Sequence, residues 1–234
     1  MSSTPKELLE RFSQSTTVTP GLLEREIAQF QQQLQSPIPD EIRQLLLYST
    51  GFDSKPFGTV RFTGHEGFEL AEVFPRSVPL LPDGCGNCWV VDVNPQDGAW
   101  GSVFYACHDP SVIVVQARNL VTFLSQLLDP SKSEPKDAVH YVHEEAVRLI
   151  WKDDPWLVSV QDARLDQDGV VSKFAEQLPD NFRVVDLRSM KVGSGFSWEK
   201  TGPDADIRRN GTELVFGVEQ KAPGFLSRIF SRRS

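Results

Sequence analysis

The sequence predicts an α+β fold: N-terminal helices packed on a largely antiparallel sheet, followed by a smaller α+β unit. Three observations lead there. Between residues 5 and 49, apolar residues recur at steps of three and four, the period of a helix that buries one face. Between residues 59 and 117 they gather instead in short runs bounded by Gly, Pro, Asp or Asn, as consecutive strands do. Residues 129–137, DPSKSEPKD, then hold two prolines and no other apolar side chain, which reads as a linker.

The elements follow in order. Pro5–Gln14 is a short amphipathic helix carrying Leu8, Leu9 and Phe12. After a polar joint at Thr16–Thr19, Thr19 caps a second helix with Pro20 at its first position and Leu23, Ile27, Phe30 and Leu34 on its buried stripe. Ser36-Pro37 ends it. A third helix runs from Pro39 to Ser49 and stops at Gly51. Strands are expected at Thr59–Thr63, Phe68–Phe74, Cys88–Val93, Ser102–Cys107 and Val112–Ala117, then an apolar helix from Leu120. Beyond the linker, Val139, Val142, Ala146, Leu149 and Ile150 mark a helix, Val170–Leu178 another, Phe182–Leu187 a strand, and Ile207–Phe216 a hairpin turning at Asn210-Gly211. The expected units are thus an extension at 1–18, a first domain at 19–128, the linker, a second domain at 138–220 and a tail at 221–234.

Composition narrows the class. The chain has 234 residues, 39% apolar and 24% charged, enough for one large core or two small ones. It has no run of about 18 apolar residues to span a bilayer. MSSTPKELLERFSQS lacks the apolar stretch of a secretory leader, and three cysteines give no disulfide framework, so a cytoplasmic setting is expected. The formal charge is −8; setting aside the four cations of residues 221–234 leaves −12 on residues 1–220. Such a body repels nucleic acid and attracts basic surfaces, or serves solubility alone.

Leu81–Asp92, LPDGCGNCWVVD, is the most informative stretch. Gly84 and Gly86 permit positive φ in a tight loop, and the strand after it places Trp89, Val91 and Val93 on one face and Val90 and Asp92 on the other. DGCGNCWVVD resembles the D-G-x-G-N-x-W/Y-x-x-D signature of the SMI1/KNR4, or SUKH, superfamily. Ile38–Leu46 with Thr50-Gly51-Phe52, Leu70–Pro75, Val103-Phe104 with His108-Asp109, and Leu120–Leu124 match in order, over about residues 20–130. Thr50-Gly51 stands where the family often has Asn-Gly. Residues 138–220 resemble no family.

Other candidate chemistry is weaker. Cys85, Cys88, Cys107 and His108 could count as four zinc ligands, but Cys107 and His108, adjacent on a strand, point to opposite faces. His140 and His143 are three apart, where H-E-x-x-H needs four, so a solvated helix face is expected for both. Asp166-x-Asp168-Gly169 lacks the acids that a calcium loop needs at Arg164 and Ala175, and simply starts a helix. His65-Glu66 and His108-Asp109 are the remaining acid/base pairs. No G-x-S-x-G elbow or phosphate loop is present, so neither an enzyme nor a cofactor or metal is expected.

The resemblance implies a non-catalytic protein-binding module, foremost an immunity protein that blocks a basic toxin, often a nuclease. The family also includes a regulator of cell-wall assembly and signalling, which keeps a regulatory scaffold open. On this reading Asp83, Asn87, Asp92, His108, Asp109 and Glu66 supply charge or hydrogen bonds and Trp100 and Phe52 apolar contact, while Gly84, Gly86 and Gly51 shape turns. The basic tail, with Phe225, Leu226, Ile229 and Phe230 on one helical face and Arg228, Arg232 and Arg233 elsewhere, could meet a membrane, a partner or the body itself.

Overall fold

A computed structural model describes residues 3–55, 57–66, 68, 70, 73–132, 134–200 and 205–221. It is α+β, with three antiparallel sheets among these residues. Helix α1 (Pro5–Phe12) starts on a capping box: Thr4 Oγ1 accepts from Glu7 N, and Glu7 accepts in return from Thr4 N. Strand β1 (Val18–Pro20) follows, so Thr19 and Pro20 pair with another strand instead of opening a helix. Helix α2 begins later, at Glu24–Leu34, where Glu26 accepts from Leu23 N and replaces a side-chain cap. Helix α3 (Asp40–Tyr48) runs directly into β2 (Ser49–Ser54), which pairs with β1 and with β3 (Gly58–Arg61). Gly51 is therefore a strand residue rather than a helix stop. A Cβ there would lie 2.0 Å from Val60 O, so the close approach of β3 requires glycine.

The central sheet has the order β10-β7-β6-β5-β4. It contains β4 (Ser77–Pro82), β5 (Cys88–Val93), β6 (Trp100–His108), β7 (Ser111–Ala117) and, from the C-terminal half, β10 (Gly195–Ser197). Of the strand expected at Phe68–Phe74, the described residues form turn and loop, with Leu70 O accepting from Val73 N and Phe74 N. The strand lies instead at β4, which contains Pro79 and Pro82. β4 is the sheet edge, and there a missing N–H costs no ladder bond.

Both faces of this sheet are covered, which explains why β7 is buried at every position. Trp89, Val91, Tyr105, Cys107, Val112 and Val114 face the helical layer, including α4 (Leu120–Leu128). Val90, Phe104, Ala106, Ile113 and Val115 face a second sheet of order β11-β12-β9-β8, from β8 (Val158–Ser159), β9 (Phe182–Asp186), β11 (Ile207–Arg209) and β12 (Val215–Glu219). The far face of that sheet packs on α7 (Val160–Arg164) and α8 (Gly169–Glu176), the latter capped by Asp168. Four layers result: helices, sheet, sheet, helices.

The chain packs across the expected boundary at 129–137. Those residues are largely exposed, with 3-10 turns at Pro130–Lys132 and Pro135–Asp137. The chain beyond them returns to the first unit twice. Val139, Val142, Ala146 and Ile150 join its helical core, and β10 pairs with β7 and extends its sheet. An unpaired β7 edge and a bare apolar face would otherwise meet water. The helical stretch here is α5 (Val139–Tyr141), a π turn at Val142–Ala146 and α6 (Val147–Asp153). That wide turn rotates the stripe, so Val147 is buried and Leu149, expected inside, is 42% exposed.

Candidate functional site

The signature loop joins β4 to β5. Gly84 (φ +83°) and Gly86 (φ +93°) hold the positive φ that the loop demands. Asp83 turns inward: its side chain is 5% exposed. Oδ1 accepts from Cys85 N at 2.7 Å and Asn87 N at 3.1 Å, and Oδ2 from Asn87 Nδ2 at 2.6 Å and Tyr105 OH at 2.9 Å. Burial pushes this carboxyl up, but the donors outweigh it and hold it below the ordinary range of about 3.8. Tyr105 is driven the opposite way, by burial and by the hydrogen bond it gives to Asp83.

Asn87, 7% exposed, ties the loop to the next turn: its Oδ1 lies 2.9 Å from His108 N, which donates to it, and 2.7 Å from His108 Nδ1. Behind the loop, Trp89 stacks at 4.6 Å from Tyr105, and its Nε1 donates to Gln116 Oε1. Gln116 Nε2 in turn donates to Gln126 Oε1 and to Asp137 O. His143 closes the set from the C-terminal half, with Nε2 3.5 Å from Asp83 Oδ2 and its ring 5.0 Å from Tyr105. A solvated helix face was expected for both histidines. His140 has one, beside Glu144, whereas His143 is half-buried against the motif.

Asp92 and Trp100 are buried. Asp92 points to the second sheet and forms a two-pronged ion pair with Arg209, at 2.7 Å on each prong. Trp100 is 6% exposed within the helical core, and its Nε1 has no acceptor among the described residues. Phe52 is fully buried. Asp92 and Trp100 sit inside because both faces of the central sheet are covered, whereas Phe52 lies in β2 of the three-stranded sheet and packs beside Phe62. Glu66, His108 and Asp109 are exposed, as are Gly84, Cys85 and Gly86.

The structure thus separates an internal frame (Asp83, Asn87, Asp92, with Tyr105, Gln116, His143 and Arg209) from an exposed rim (residues 84–86, His108, Asp109). Beside the rim lies a pocket of about 210 Å³, lined by Phe68, Leu70, Gly86, Ala106, Cys107, His108 and Trp198. Sequence reasoning passed over Trp198 and Arg209. Nothing in their spacing links them to residues 80–110; only the return of the C-terminal half does.

The thiols offer little chemistry. Cys88 and Cys107 are buried, and burial pushes Cys88 up to about 12 and raises Cys107. Cys85 alone is exposed. Among the described residues no three His, Cys, Asp or Glu side chains converge on a point where a metal could sit. No described helix is long and apolar enough to cross a membrane. The tail residues Phe225, Leu226, Arg228, Ile229, Phe230, Arg232 and Arg233 lie outside the described residues.

Comparison with known proteins agrees with this frame. Residues 21–126 match the family described as SMI1 / KNR4 family (SUKH-1), from the turn before α2 into α4. No curated protein and no solved structure gives a significant match.

Proposed function

We propose, from the match of residues 21–126 to the SMI1 / KNR4 family (SUKH-1), that this chain is a non-catalytic, cytoplasmic immunity protein that neutralises a cognate basic toxin, nucleases included, by binding it. One observation carries the reading: the signature loop is fixed from within and presented outward. Four donors on the buried Asp83 carboxylate and the Asn87–His108 bridge hold the loop. A loop already ordered pays little conformational entropy on association, which favours tight capture. Asp109 and Glu66 on the surface, and −12 over residues 1–220, supply attraction to a basic partner. Asp83, Asn87 and Asp92 act here as positioning residues, and contact passes to the rim and to Glu66.

The extra C-terminal half would favour a regulatory scaffold if it stood as a separate module. Its strand in the central sheet and its side chains in both cores support a single binding body instead. The test is to read the gene's surroundings for a secreted toxin and to express the toxic domain with and without this chain. Restored growth and a stable complex are expected. A toxin that kills regardless, or a pull-down led by kinases and envelope proteins, would overturn the immunity reading.

A further inference from the structure

We propose that the pocket beside the signature loop is the anchor site for one apolar side chain of a basic partner, and that the C-terminal half of this chain completes it. This rests on the binding reading above and says where the contact is made. At about 210 Å³, the pocket is smaller than the roughly 300–1,000 Å³ of small-molecule sites; it has room for a side chain. Its floor is Ala106, flanked along that face of β6 by the larger Phe104 and His108, so a depression remains where one methyl group replaces a ring. Phe68, Leu70 and Trp198 form apolar walls, and His108, held through Nδ1 by Asn87, covers Gly86 at the rim.

The walls come from three distant parts of the chain. Trp198 is placed by β10, whose pairing with β7 continues into a hydrogen bond from Trp198 N to Ser111 O at 3.0 Å. Without the C-terminal half the pocket loses this wall. Charge sets the occupant's surroundings. The exposed acids Glu66 and Asp109 stand two residues and one residue along the chain from Phe68 and His108. An apolar anchor seated in a pocket, with opposite charges meeting around it, is the usual arrangement of an interface hot spot.

The experiment is a titration of the ¹⁵N-labelled full chain with three capped tripeptides: Lys-Leu-Arg, Glu-Leu-Glu and Lys-Ser-Arg. The Trp198 indole and Gly86 amide signals are expected to move with Lys-Leu-Arg, and binding to be about tenfold weaker for the other two, a difference of about 1.4 kcal/mol. Ala106→Leu, which fills the floor, and Leu70→Asp, on the half-buried wall, should each abolish the shifts while the remaining spectrum stays native. Trp198→Phe should retain binding and Trp198→Ala lose it. No movement of either signal, equal response to Glu-Leu-Glu, or unchanged binding by a folded Ala106→Leu chain would overturn the proposal. So would a chain ending at Lys221 whose Trp198 and Gly86 signals already differ from the parent's, because its own residues 222–234 would then be the occupant. A toxin that binds Ala106→Leu and Trp198→Ala as tightly as the parent would leave the immunity reading standing and remove this pocket from it.

Discussion

Replacing Arg209 by methionine tests the link between the signature and the C-terminal half. Arg209 is 6% exposed and the Asp92 side chain 12%. All five guanidinium protons are engaged. Nε donates to Glu213 O, Nη1 to Val73 O and Asp92 Oδ1, and Nη2 to Asp92 Oδ2 and Thr212 O. Arg209→Met keeps most of the apolar stem but leaves the Asp92 carboxylate enclosed without its counter-charge. Breaking a buried pair in this way costs about 3–5 kcal/mol, against about 0–1 kcal/mol for an exposed one. At roughly 2–4 °C per kcal/mol for a chain of this size, the thermal midpoint should fall by about 6–20 °C. The double variant Asp92→Leu/Arg209→Met removes both charges and should regain much of the loss. Urea unfolding followed by tryptophan fluorescence, run as a double-mutant cycle, measures both. A cost below about 1 kcal/mol for Arg209→Met, or simple additivity in the cycle, would refute the claim that this pair acts as a buried clamp.

Other consequences can be checked on the same protein. Asp83→Asn puts an amide where the carboxylate accepts four hydrogen bonds, and should lower stability at pH 7 by about 1–3 kcal/mol. Because the folded-state pKa of Asp83 lies below its unfolded value, its contribution is complete above the unfolded value of about 3.8 and fades as pH falls through the folded one. The gap between parent and variant in urea midpoint should therefore be narrower at pH 3 than at pH 7. Gly86→Ala meets both a φ of +93° and a Cβ 2.8 Å from His108 Cε1, whereas Gly84→Ala at φ +83° meets open space. Both should be destabilised by about 1–3 kcal/mol, with Gly86→Ala the worse; equal midpoints would dismiss the steric part. A thiol reagent should label Cys85 alone in the native protein and all three cysteines in denaturant, since Cys88 and Cys107 are buried with raised thiol pKa values.

Local signals carried much of the fold. The alternation read from Trp89 to Val93 is the alternation observed, because period two in a strand is set by the backbone itself. Asp168-Gly169 starts a helix for the reason given by its side chain, which accepts from Val170 N and Val171 N. The failures are of another kind. Thr19-Pro20 has the chemistry of a helix start, but pairing with β2 claimed it. Ser77–Pro82 was not among the expected strands, and the edge position that tolerates Pro79 and Pro82 cannot be seen in one segment. Asp92 looked like a surface anchor because a single strand does not reveal that its other face will be covered by Arg209, 117 positions away; Trp100 looked like one because residues 97–101 read as a loop, but it opens β6 and lies in the helical core. The pairing of β10 with β7 is long-range, and no local pattern near Gly195 announces it.

The signature and the surface consequently answer different questions. Asp83, Asn87 and Asp92 are buried and bonded to this chain's own groups: loop amides, Tyr105, His108 and Arg209. A side chain so committed can fix a loop but cannot choose a partner, because a contact with another molecule would have to break bonds worth more than it supplies. Recognising the family by these residues therefore identifies the frame. On the proposed binding reading, choice of partner falls to groups outside the buried frame, and Phe68, Leu70 and Trp198 line the pocket beside it. If that division holds, exchanging these three half-buried residues for other apolar ones should alter which partner is held while costing less stability than the about 1–3 kcal/mol expected for Asp83→Asn. Exchanging Asp83 or Asp92 should do the reverse, lowering stability first and affecting every partner alike.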